Sequence, residues 1–279
     1  MRFAIDSGKL LYALGVLFAA AALLYFIRDV VFDLSITVKA ALLLLGFVAA
    51  FTAGVAVERD VLDVVAFALS GVTYVVFVGY VVVRYRPGET GTFLLLAASA
   101  ALFVGLGYAL REGIPTPSRR TAAVALGVLL LVSGVLVGAD ALTGGVTYGV
   151  ETSDSVTVSV PDAGQGPGGY PYVTREIGAV TASNPSPFLR ALALPTLSGC
   201  LVGPTDHPRE GVYVATDAQW DEDTIGGSTT RSYTLTTELP IDPNRTAPQT
   251  YAVEQGLDCS AERAEPTLAI QVGESGEFD

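Results

Sequence analysis

The sequence predicts two unlike halves: a bundle of five membrane-spanning helices over residues 1–142, then an all-β sandwich over residues 143–272. Three observations carry that expectation. Apolar runs of near-bilayer length fill the first half. Period-two alternation replaces them in the second. The charge is also split. Met1–Leu142 holds ten Lys/Arg and nine Asp/Glu, a net of +1, whereas Thr143–Asp279 holds six Arg, no Lys and nineteen Asp/Glu, a net of −13.

The boundary is the last apolar run. Arg119-Arg120 precedes Thr121–Ala139, and Asp140 and Thr143-Gly144-Gly145 follow it. Four runs come earlier, at Leu10–Ile27, Val38–Val57, Val61–Val83 and Thr92–Leu110. Each is near the ~20 residues that cross a hydrocarbon core of ~30 Å. A cleaved signal peptide is set aside for the first run, because Leu23-Leu24-Tyr25-Phe26-Ile27 continues past the Ala19–Ala22 cluster where cleavage would fall. Short connections, such as Glu58-Arg59-Asp60 and the turn at Pro87-Gly88, make sequential helices antiparallel neighbours.

Five spans place the termini on opposite sides. With the N-terminus in the cytoplasm, Arg2, Lys9, Arg59, Arg111, Arg119 and Arg120 lie inside, against Arg28, Lys39, Arg84 and Arg86 outside. The positive-inside rule favours that orientation, most clearly at Arg119-Arg120, and sends the acidic half to the extracellular side of the cytoplasmic membrane. Tyr12, Tyr25, Tyr80, Tyr85 and Tyr108 near span ends fit an interfacial belt.

Small residues recur four apart: Ala97, Ala101, Gly105 and Ala109 in the fourth span, Gly134 and Gly138 in the fifth, and Gly46, Ala50 and Gly54 in the second. That spacing lets helix backbones approach, as in a compact bundle or a homo-oligomer. Span centres carry hydroxyls (Thr52, Ser70, Thr73, Tyr74, Ser99, Ser133) and no ionisable group, which disfavours ion-coupled transport but not a passive or oligomeric pore. An intramembrane aspartyl pair would need Asp63 and Asp140 to meet, yet the topology puts them at opposite faces.

Beyond Gly145 the expected strands are Ser155–Val160, Glu176–Ser183, Phe188–Leu194, Gly199–Val202, Val212–Thr216, Arg231–Leu239, Thr250–Glu254 and Thr267–Val272, with Pro161–Pro171 as a loop. Short alternating strands between Pro, Gly and Asp turns argue a sandwich. Within it, Val180 to Phe188, with Asn184-Pro185-Ser186-Pro187, resembles the strand-to-loop pattern of immunoglobulin-like adhesion modules. Residues 273–279 form an acidic, flexible tail.

Catalytic constellations are missing. The lone histidine, His207, sits in a loop with no nucleophile-elbow serine, and no lysine follows Lys39. No cofactor, zinc or copper site is expected. A weak calcium candidate is Asp217, Asp221, Glu222 and Asp223, although the ordered EF-hand spacing is absent and a solvated acidic face accounts for them better. Trp220 is read as a core anchor. Cys200 and Cys259 are expected to form a disulfide in an exported domain. Asn244-Arg245-Thr246 is the usable glycosylation sequon, whereas Asn184-Pro185-Ser186 has a forbidden proline.

A surface this acidic excludes nucleic acid, whose phosphates want Lys/Arg clusters. Its lysine-free composition resembles that of proteins from salt-accumulating halophiles, where salt screens carboxylate repulsion. The expectation is a non-catalytic multi-pass protein whose partners are the lipid bilayer and an envelope or membrane protein. An accessory or pore-forming transport subunit is the alternative.

Overall fold

The computed structural model describes residues 18, 34–56, 62–112, 118–159, 164–165, 171–203, 210–219, 222–241, 247–256, 258–260 and 263–273. The chain divides into two compact units, Met1–Gly144 and Gly145–Asp279.

In the first unit, four helices among the described residues are long and apolar enough to cross a membrane: α1 Ile36–Ala56, α2 Leu62–Tyr85, α3 Gly88–Glu112 and α4 Arg119–Leu142. These are the second to fifth expected spans, extended by a few residues. The expected first span, apart from Phe18, lies outside the described residues. Local chemistry sets the ends. Ser35 caps α1, its Oγ accepting from Val38 N at 3.3 Å and its carbonyl from Lys39 N at 3.0 Å. Arg86 at φ +44 stops α2 just before Pro87. Ser118 caps α4, accepting from Thr121 N at 3.2 Å.

Helix α1 is the hub, packing antiparallel on α2 and also against α4. Close approach to α2 is permitted by Gly46 and Gly54: a Cβ on each would lie 3.4 Å from Thr73 and 3.2 Å from Phe67. Phe47, Tyr74 and Phe103 interlock, with centroids 4.9 Å apart for Phe47–Tyr74 and for Tyr74–Phe103. Helix α3 buries no residue and meets its neighbours through Phe103 and Ser99. Elsewhere Leu130, Val104 and Val75 turn outward, at least 70% exposed. So much outward apolar surface matches a lipid solvent rather than water.

The second unit is β-rich. One sheet orders β1 (Thr147–Thr152), β4 (Pro171–Asn184), β10 (Thr229–Pro240) and β8 (Val214–Thr216), with β3 (Gly164–Gln165) also on β4. A second orders β2 (Ser155–Val158), β11 (Gln249–Gln255), β12 (Thr267–Val272), β6 (Leu197–Val202) and β7 (Glu210–Val212). A small pair joins β5 (Arg190–Ala191) to β9 (Thr224–Ile225). Inward positions of both large sheets meet in one core, with Ile177, Val180, Leu235 and Leu239 from the first and Val156, Tyr251, Leu268 and Ile270 from the second.

Five details differ from the sequence expectation. The expected strand Val212–Thr216 breaks at Tyr213 into β7 of the second sheet and β8 of the first. Strand β1 had not been expected, because Gly149 and Glu151 break its hydrophobic signature. Strand β4 begins at Pro171, inside the expected loop's last residue, and β3 pairs with that extension. The expected strand Phe188–Leu194 shrinks to Arg190–Ala191: Pro187 and Pro195 flank it, and its partner β9 is only two residues long, with Leu192 N adding one further bond to Asp223 O. Strands β11 and β12 pair in parallel, whereas the other pairs are antiparallel. A bulge between Leu235 and Thr236 adds a residue to β4 opposite them. Gly178 sits there, and a Cβ on it would come 2.0 Å from the Glu151 carbonyl oxygen.

Candidate functional site

The span-centre hydroxyls of the helical unit make structural bonds. Tyr74 donates its hydroxyl to Ser99 Oγ at 2.8 Å, and Ser99 donates to Leu95 O at 2.7 Å. Ser70 donates to Phe47 O at 3.3 Å, tying α2 to α1. Thr52, Thr73 and Ser133 return their hydroxyls to carbonyls one turn back in their own helices. Each of these hydroxyls is therefore satisfied by the protein.

Asp140 is a buried carboxylate, 1% exposed, in the last turn of α4. Its Oδ2 accepts from Ser35 N at 2.6 Å, so a residue 105 positions away supplies a side-chain acceptor to the N-terminus of α1. Thr143 returns both its N–H (3.3 Å) and its hydroxyl (2.8 Å) to the Asp140 carbonyl. Asp63 stands at the opposite end of α1, accepting from Val64 N at the start of α2. The two aspartates are therefore not brought together.

The small-residue stripes do not all behave alike. Gly46 and Gly54 meet α2, as described. On α3, Ala97, Ala101 and Gly105 are exposed and Ala109 is half-buried; they lie on the side away from Ser99 and Phe103. A Cβ on Gly105, Gly134 or Gly138 would meet nothing within 4 Å.

In the β unit, the acidic stretch is divided among separate tasks. Asp217 Oδ1 accepts from Thr234 N at 2.7 Å, and its own N donates to Thr234 O at 3.1 Å, extending the β8–β10 ladder by one rung. Glu222 pairs with Arg231 at 3.5 Å. Asp223 offers its carbonyl to Leu192 N. Asp221 and Trp220 lie outside the described residues. Among those described, no group of three or more His, Cys, Asp or Glu is placed to hold a metal ion. His207 and Asn244 also fall outside them.

Cys200 and Cys259 are bonded, with Cα atoms 5.9 Å apart, and pack beside Val202 and Ala269. The segment that resembles an immunoglobulin-like strand end is organised by Asn184, 1% exposed. Its Nδ2 donates to Phe188 O and Gly226 O, both at 2.9 Å, while Oδ1 accepts from Ser186 N at 3.1 Å. Two loops are thereby stapled together, and Ser228 N closes the join on Ser186 O at 2.7 Å. Sequence reasoning singled out this segment for its prolines and missed that its asparagine is the staple. The signal was an Asn between a long strand and a Pro-rich turn, where side-chain amides replace backbone partners.

Such an arrangement defines a class by architecture alone: membrane-length apolar helices joined to a disulfide-bearing β unit. No family model, no characterised protein and no solved structure matches the chain.

Proposed function

We propose that this chain is a non-catalytic integral protein of a halophile's cytoplasmic membrane that presents an immunoglobulin-like sandwich to the cell exterior, where it engages a partner protein or the envelope. In this reading Leu10–Ile27 is a fifth span, the N-terminus is cytoplasmic and residues 143–272 are extracellular. The observation that carries it is the division of labour among polar side chains. In the helices the span-centre hydroxyls of Thr52, Ser70, Thr73, Tyr74, Ser99 and Ser133 bond to backbone or to one another, and in the β unit the carboxylates of Asp217 and Glu222 stabilise loops and edges. What is left for function is surface. The Cys200–Cys259 bond fits an oxidising compartment. The charge of the second half, with six Arg, no Lys and nineteen acidic residues, fits a surface hydrated in concentrated salt.

Protease shaving of intact cells tests the topology, read with a C-terminal epitope tag and a non-reducing gel. Loss of the tag, with an intact Cys200–Cys259 link in the released fragment, is the expected result. A tag protected until lysis would put the acidic unit in the cytoplasm and end the surface reading.

A further inference from the structure

We propose that β1 is a self-complementary docking edge through which two copies of this chain join their sheets. The inference rests on the surface-interaction reading above and names its partner as a second copy.

Strand β1 is the outer strand of its sheet and pairs with β4 without a break from Thr147↔Ser183 to Thr152↔Gly178. The next bond in the series, Ser153 N to Ile177 O at 2.8 Å, fixes the phase of the ladder. Thr147, Gly149 and Glu151 therefore direct their N–H and C=O groups toward β4, while Tyr148, Val150 and Thr152 direct theirs outward. Among the described residues those three outward rungs have no backbone partner.

An open edge invites strand addition, and proteins usually blunt it with shortness, charged side chains, proline or a bulge. The other path-end strands here are short: four residues in β2 and three each in β7 and β8. Strand β1 has six residues, a single charged side chain in Glu151, no Pro and an unbroken register.

A glycine inside a strand weakens it and often marks a place where another backbone or a ligand comes close. Among the described residues nothing does so here, since a Cβ on Gly149 would meet nothing within 4 Å.

Antiparallel pairing about a twofold axis at Val150 meets all these conditions. Val150 faces Val150 of the second copy, and Tyr148 faces its Thr152, so all three outward rungs close with about six hydrogen bonds. Gly149 then lies opposite Glu151 of the second copy. Both side-chain positions are exposed on the outer sheet face, and the missing side chain leaves room for the carboxylate. No two glutamates stand opposite each other in this register. Confinement of both copies to one membrane raises their effective concentration, so a modest strand–strand interface suffices.

The test uses the full chain in proteoliposomes, with two differently tagged copies co-reconstituted. Gly149→Cys in one and Glu151→Cys in the other should give a mixed-tag disulfide under copper phenanthroline. Ser232→Cys in place of Glu151→Cys should give none. A charge series then checks the register by FRET between labelled copies. Gly149→Glu sets like charges opposite each other and should weaken association about tenfold, whereas Gly149→Lys should not weaken it. Adding Glu151→Lys to Gly149→Glu should restore it.

Equal effects of Gly149→Glu and Gly149→Lys, or no mixed-tag product, would overturn the proposal. In that event a photocrosslinker on Gly149→Cys in native membranes separates the two failures. An adduct with a different protein leaves the surface-interaction reading standing without self-pairing, and no adduct with anything removes both.

Discussion

The two units solve one problem in opposite directions. In the four described helices the backbone is satisfied along each helix apart from its ends, so side chains are free to face outward, and the large exposed residues are mostly Leu, Val and Phe. In the β unit the strand backbones are satisfied mainly by neighbouring strands, so sheets must stack, and Ile177, Leu235, Leu239, Leu268 and Ile270 are fully enclosed. Even the bonds that tie elements together differ in kind: aromatic rings, hydroxyl contacts and the Asp140–Ser35 bond in the first unit, a covalent link and an amide staple in the second. The lesson is that solvent decides which side chains carry stability. Apolar bulk matters inside the β unit and is nearly interchangeable on the helical surface.

The largest test of this contrast is the disulfide. Cys200–Cys259 closes a loop with a sequence separation of 59, worth about 4 kcal/mol in the chain-entropy model. Cys259→Ser should lower the unfolding free energy of the β unit by that order, seen as a lower urea midpoint. The readout is the fluorescence of the single tryptophan, which lies in the β half of the sequence. Helical ellipticity of the same detergent-solubilised sample should not move, and a joint loss of both signals would mean that the units are energetically coupled.

A paired leucine comparison isolates solvent next. Leu235→Ala empties a site that is 0% exposed and should cost about 3 kcal/mol. Leu130→Ala removes the same atoms from a position 75% exposed and should stay within about 0.5 kcal/mol in detergent. Similar costs at both sites would sink the claim that the outward helix surface faces a lipid-like solvent.

How much of this could be read from the sequence follows from the same physics. The last four spans were legible because a membrane helix is a contiguous signal: about twenty apolar residues in a row, with Pro87-Gly88 or a charged turn at each break. Strands such as Arg231–Leu239 and Thr267–Val272 were legible because alternation persisted. Strand β1 was not, since an edge strand with Gly149 and Glu151 has only half a buried face to advertise it. The parallel β11–β12 pair was equally hidden, because pairing partners are set by the whole sheet and not by either strand. At the candidate sites the residues were visible and their duties were not. Asp217 was noticed as a carboxylate and Asn184 as a failed sequon, yet both act through long-range bonds to Thr234 and to the loop at Gly226. Asp140 was read as a boundary marker, and its bond to Ser35 spans 105 residues, beyond any local pattern.

Asn184 sharpens the comparison at intermediate size. Asn184→Ala would leave the carbonyls of Phe188 and Gly226 without their shared donor in a half-buried site, a loss of about 2 kcal/mol. Asn184→Asp should cost about as much, because it turns that donor into an acceptor facing two carbonyl oxygens. Hydrogen exchange should then rise at Ser228, whose N–H bonds across the same join, while β12 amides stay protected.

Salt separates the units without any mutation. Raising KCl from about 0.1 M to about 3 M shrinks the Debye length from ~10 Å to below ~3 Å and screens the carboxylates of the β half. Its tryptophan-detected melting temperature should climb, while the helical transition, with a net charge of only +1 over Met1–Leu142, changes little.

The smallest expected effect lies in the membrane half and is the most diagnostic there. Tyr74 touches α3 in two ways, through its ring on Phe103 and through its hydroxyl on Ser99. Hydrogen bonds between membrane helices average ~0.6 kcal/mol, because the separated helices also find partners. Tyr74→Phe should therefore cost about that much in SDS-driven unfolding of the reconstituted bundle, close to the limit of detection. Tyr74→Ala removes the ring that Phe47 and Phe103 grip and should cost several-fold more. Thr73→Val, which deletes a hydroxyl bonded only to Leu69 in its own helix, sets the baseline near zero. If Tyr74→Phe approached the cost of Tyr74→Ala, polar bonding rather than ring packing would hold α3, and the helical unit would resemble the β unit more than its outward apolar surface implies.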